Sequence, residues 1–154
     1  MDAVVGFTNN DAVQMRLAGM DVREIPLDGA STPLVAASII TTREWAQSHP
    51  DQARTVVSAT TEAMNTIAAD PQVAIDATAK WDTTLTDKQA LASANAVLAA
   101  TVPLWLGEDA HADGVQELAT WSSMVSYLSS IGVLEVSVDP TAIVTNNYVS
   151  GDGA

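Results

Sequence analysis

The apolar positions of this chain change period partway along it. Near the start, Ala3-Val4-Val5-Gly6-Phe7 is a short, β-branched apolar run that passes into the polar stretch Thr8-Asn9-Asn10-Asp11. Ala12, Val13 and Leu17 then recur at helical spacing until Gly19. That order predicts a strand, a polar turn and a helix. Asp21 to Leu27 alternates and predicts a short strand, which Pro26 confines to a sheet edge or to its own end. After a turn over Ala30 to Pro33, the apolar and β-branched run Leu34 to Thr41 predicts a second clear strand.

From Thr42 onward the period is helical. Arg43 to Gln47 supplies about one turn, and Pro50 stands where a first helical residue is expected. The helix that follows carries Ala53, Val56, Val57, Thr60, Ala63, Met64, Ile67 and Ala68 on one stripe. Asp70-Pro71 opens a shorter helix to about Thr78. Thr86-Asp87-Lys88-Gln89 has the spacing of a capping box, launching an alanine-rich helix through Leu91, Ala94, Val97 and Leu98, which Pro103 and Gly107 break. Asp113-Gly114-Val115-Gln116 opens the last long helix, with Leu118, Trp121, Ser122, Val125 and Leu128 on its face and Gly132 as its stop. Asp139-Pro140 caps a final short turn, and Ser150 to Ala154 are expected to fray.

Thr8, Asn9, Asn10 and Asp11 are the candidate binding residues. The turn after a strand's carboxyl end is where open α/β sheets gather ligand-binding groups, because side chains and helix N–H groups converge there. One of these residues could instead simply cap the helix, worth about 1 kcal/mol, and spacing alone leaves capping and ligand contact both open.

The same residues carry a family resemblance. Asp2-Ala3, the apolar run and Gly6-Phe7-Thr8-Asn9-Asn10-Asp11 resemble the late segment of the SsuA/THI5-like (NMT1-type) substrate-binding proteins of ABC importers. Leu34 to Thr42 is similar to that family's strand returning between lobes, and His49-Pro50-Asp51 to Val57 resembles its Pro-Asp helix opening. Gly132-Val133-Leu134, Val138-Asp139-Pro140 and Val144-Thr145-Asn146 resemble its C-terminal signature, so the likeness runs from Asp2 to about Tyr148. Where the Asn-Asn subgroup continues with Glu-Pro, this chain has Asp11-Ala12.

The resemblance implies an α/β fold, the C-terminal portion of a type II periplasmic-binding-protein fold, with two or three strands followed by a predominantly helical segment. Residues 1–33 would end lobe two, residues 34–42 would form a hinge strand, and residues 43–154 would form the helical part of lobe one. The signal peptide and the first lobe would lie upstream. It further implies a solute-binding component of a periplasmic or extracellular importer, which hands a small organic molecule to ABC permease subunits without covalent chemistry and without a cofactor. The Asn-Asn-acidic turn favours a thiamine-pyrimidine precursor or a riboflavin-like heterocycle, since amides offer donors and acceptors and Asp11 can accept from an exocyclic amine. The alternatives are a sulfonate or nitrate solute, a THI5-like pyrimidine synthase, and a stand-alone helical interaction module.

Composition narrows this further. At 154 residues, 47% apolar and a mean hydropathy of +0.15, the chain can bury a core. Six basic residues against nineteen acidic give a net charge of −13, which argues against nucleic acid and anionic membrane surfaces. With no cysteine, thiolate metal sites and disulfides are excluded, and the separated His49 and His111 give no metal-ligand spacing. No apolar run is long enough to span a membrane. No nucleophile elbow is present, so nothing in the sequence prefers an enzyme. Trp45, Trp81, Trp105 and Trp121 are expected to pack in the core, Arg43 to form a surface pair with Glu44, and Arg16 and Arg23 to lie on solvated faces.

Overall fold

A computed structural model describes residues 3–25, 34–35, 37–85, 87–106 and 110–149. In chain order its helices are α1 (Asp11–Leu17), α2 (Arg43–Ser48), α3 (Pro50–Ala69), α4 (Gln72–Ala79), α5 (Lys88–Thr101), α6 (Leu118–Ser130) and α7 (Pro140–Ile143). A 3-10 turn over Val102–Leu104 extends α5 through Pro103 rather than ending it there.

The helical expectations hold closely, and local chemistry explains most boundaries. Thr42 Oγ1 accepts from the Trp45 N–H to start α2, and Pro50 opens α3, where its missing N–H costs nothing. Asp139 caps α7 through the Thr141 N–H. Gly19 and Gly132 follow α1 and α6 at φ 79° and 76°, the left-handed conformation that stops helices without a Cβ penalty. Three starts differ from the expectation. The α4 helix begins at Gln72 with Pro71 in the cap position, while the Asp70 carboxylate accepts from the Gln72 N–H at 3.1 Å. Asp87 is the cap of α5, its carboxylate accepting from the Gln89 and Ala90 N–H groups, while Thr86 lies outside the described residues. The α6 helix begins at Leu118, because Gly114 takes φ 77° and Asp113 closes a turn onto the Val115 N–H at 2.8 Å.

The α/β expectation is overturned: among the described residues there is no strand and no sheet. Ala3 to Phe7 and the described part of Leu34 to Thr41 are irregular, as is Asp21 to Ile25, while 26–33 lie outside the described residues. The physical reason is that a strand is completed by a neighbour, and β-branched alternation supplies only half of a ladder. No described segment pairs with these runs, and their side chains are exposed, Val5 to 89%, Phe7 to 77% and Ile40 to 88%.

The chain divides into two compact units, residues 1–25 with 61–112, and residues 26–60 with 113–154. In the first, α1 and α4 both pack against α5, and Ile75 and Ala112 are buried. Asn65 of α3 fixes Ala112 there, its Nδ2 donating to the Ala112 carbonyl and its Oδ1 accepting from the Ala112 N–H, both at 2.8 Å. In the second unit, α6 packs with α7, and Ala46 and Ala53 are buried. Asn146 holds Gln116 there in the same way, at 2.8 and 3.1 Å. The Arg43 guanidinium donates to the Ala142 carbonyl at 2.6 Å instead of pairing with Glu44. Trp81 is 90% exposed, against the expectation of core packing, and Trp45 stacks on His49 with centroids 5.0 Å apart.

Candidate functional site

The Thr8–Asp11 turn is built by its own side chains and by α5. Phe7 contributes its carbonyl to the N–H groups of Asn10 and Asp11, at 3.1 and 2.9 Å, which folds the chain into α1. The Asp11 carboxylate folds back to accept from the Phe7 N–H at 2.6 Å. That closure leaves no room beside Gly6: a Cβ there would lie 2.7 Å from the Cβ, Cγ and Oδ2 atoms of Asp11. Glycine is required at that position by close approach rather than by an unusual backbone angle.

The four candidate residues have different situations. Thr8 donates to Glu24 at 3.3 Å, and Glu24 is also bonded to Arg16, whose guanidinium is the first cause holding the Glu24 carboxyl below its ordinary range. Arg16 is therefore an ion-pair partner and not merely a solvated residue. Asn9 reaches across to α5, its Nδ2 donating to Thr101 Oγ1 at 3.0 Å in a half-buried bond. Asn10 occupies the N-cap position of α1, but its side chain makes no capping bond and is exposed. Asp11 closes the turn as described. Simple helix capping by Asn10 is thus not the role of the Asn-Asn pair: one amide ties the turn to α5 and the other faces solvent.

Thr101 places the turn beside an apolar cleft of about 270 Å³. Ala94, Val97, Leu98 and Thr101 of α5 form one wall, and Ala74, Ile75 and Thr78 of α4 with Leu85 form the other. Sequence reasoning missed Thr101 and Thr78. Thr101 was within reach of the pattern, since it extends the Ala94, Val97, Leu98 stripe by three residues, one helical step along the same face. The Thr101 hydroxyl donates to the Val97 carbonyl at 2.8 Å while accepting from Asn9, so its polar atom is engaged and its methyl belongs to the wall.

Among the described residues no group of His, Asp and Glu side chains is arranged to hold a metal ion, and no helix is long and apolar enough to cross a membrane. The site offers hydrogen-bond donors and acceptors next to hydrocarbon.

No curated protein and no solved structure matches the chain. A family model does match, over residues 1–74, a stretch that includes the Thr8–Asp11 turn, Leu34 to Thr42 and the Pro-Asp opening of α3, and stops short of Gly132 to Asn146. The family this stretch is similar to is the one described as NMT1/THI5 like, in agreement with the SsuA/THI5-like resemblance read from the turn.

Proposed function

We propose that the chain is part of the solute-capturing component of an ABC importer, working in the periplasm or outside the cell and handing a small organic molecule to permease subunits. The observation that carries this reading is the placement of the Thr8–Asp11 turn within the NMT1/THI5-like segment, with an exposed, non-capping Asn10 amide at its tip. Residues 1–33 would then be the ligand-facing portion. An amide offers both a donor and an acceptor to one planar edge, and the second oxygen of Asp11 can take an exocyclic amine. That chemistry suits a thiamine-pyrimidine precursor or a riboflavin-like heterocycle better than a sulfonate, which would need donors and would meet a carboxylate. Capture is non-covalent, so the solute is recovered unchanged.

Isothermal calorimetry on the full chain tests this with 4-amino-5-hydroxymethyl-2-methylpyrimidine, riboflavin and taurine. A heterocycle should bind and taurine should not. Asn10→Ala should weaken binding by about 1–3 kcal/mol, because a buried ligand group loses its partner. It should leave the melting temperature almost unchanged, since the Asn10 side chain makes no capping bond. Taurine as the preferred ligand, unchanged affinity in Asn10→Ala, or chemical conversion of the solute would each overturn the reading.

A further inference from the structure

The cleft between α4 and α5 has features that the turn alone does not use. Its walls are aliphatic, Ile75 and Leu85 facing Ala94, Val97 and Leu98. The hydroxyl that borders it on Thr101 is already spent on Val97 and Asn9. The described lining residues carry no charged side chain, and Thr78 adds only a hydroxyl, so the cleft holds no anchor for a charged group. At about 270 Å³ it is larger than the roughly 150 Å³ apolar cavity that accepts benzene and below the range for drug-sized ligands. Along α5 it extends only from Ala94 to Thr101, about 10 Å, too short for a partner helix laid along it. The Asn9 to Thr101 bond joins its rim to the polar turn.

We infer that this cleft is an apolar subsite for the hydrocarbon part of a small solute, a single ring or a short alkyl group, whose polar edge meets the Asn9–Asn10 turn. The inference deepens the solute-binding reading and rests on it for the polar edge only. The apolar ligand class follows from the walls, the size from the volume, and the orientation from the rim. A solute carrying an alkyl-substituted aromatic ring would be favoured over a fully polar one of equal size.

The experiment uses toluene, ethylbenzene and propylbenzene as probes of the full chain, followed by calorimetry and ligand-observed NMR. Affinity should rise about fourfold for each added methylene until the cleft is full. Ala94→Leu, which fills the cleft from α5 with a good helix former, should weaken binding at least tenfold. Ala74→Leu fills it from α4, so a folding failure of one variant leaves the other as the test. Absence of binding, or binding that neither filling variant alters, overturns the subsite. If Ala94→Leu converts an associated form into a monomer, a second copy fills the cleft, which also overturns it. Probe binding lost in Ala94→Leu supports the subsite even where no heterocycle binds the turn, so failure of the solute-binding reading is seen separately.

Discussion

Replacing Asn65 by alanine should destabilise the first unit by about 2–3 kcal/mol. The Asn65 amide satisfies both the N–H and the carbonyl of Ala112 at 2.8 Å, and Ala112 is only 3% exposed. Each bond contributes about 1 kcal/mol net, and two buried backbone groups left without partners add part of their desolvation cost. Asn146 supplies the control, because it makes the same two bonds to Gln116, but at a more exposed position. Water can replace its amide, so Asn146→Ala should cost about 1 kcal/mol or less. Asn65→Asp separates the two bonds: the carboxylate still accepts from the Ala112 N–H but cannot donate to its carbonyl, so most of the loss should persist at neutral pH. Urea denaturation gives the totals, and amide exchange at Ala112 and Gln116 reads each unit locally, which matters where two units do not unfold as one. A loss below about 0.5 kcal/mol for Asn65→Ala would refute the reasoning. Equal losses at Asn65 and Asn146 would refute the role assigned to burial.

Gly6→Ala should destabilise the turn by about 1 kcal/mol, because its Cβ displaces the Asp11 carboxylate from the Phe7 N–H; faster exchange of the Phe7 amide checks this, and an unchanged rate refutes it. Asp82 and Asp139 are held below the ordinary aspartate value of 3.8, first by the Thr84 and Thr141 hydroxyls and then by the N–H groups of the same residues. Their contribution is therefore complete above that value and lost as pH falls through the lowered ones, so acid melts of Thr84→Val and Thr141→Val should show a weaker pH dependence than the parent. The exposed Val5, Phe7, Ile39 and Ile40 should drive concentration-dependent self-association in size exclusion with light scattering, reduced by Phe7→Lys; a monomer at every concentration would refute this.

The helices were legible because their signals are local. Pro50 at a first position, Asp139 as a cap and Gly19 as a stop act on backbone within a turn of themselves, and the structure uses all three. The cap of α5 shows the limit of that locality: the box pattern pointed to Thr86, whereas the Asp87 carboxylate makes the cap. Strands were not legible in the same sense. The Val-rich run before Gly6 has strand composition, but pairing depends on a partner that its own residues cannot specify. The family match over residues 1–74 supports the resemblance read from the turn, although the sheet that the resemblance implied is absent among the described residues.

The Thr8–Asp11 turn was legible as a location, and the part each of its residues plays was less so. Four adjacent polar residues after an apolar run point to a turn, and the turn is there, but the division of labour among them depends on residues far along the chain. Asn9 is engaged by Thr101, 92 positions away, and Thr8 by Glu24, 16 positions away. Asp11 is both the acid best suited to an amine and the acid that closes the turn, so a ligand must use its remaining oxygen or compete with the Phe7 N–H. Competition would forfeit a charge-assisted bond of about 1.5 kcal/mol or more, whereas sharing forfeits nothing and gains a carboxylate already held in place. On the proposed solute-binding reading, sharing would be the favoured mode, and Gly6, by admitting Asp11 so closely, would hold the acid beside Asn10 before any solute arrived.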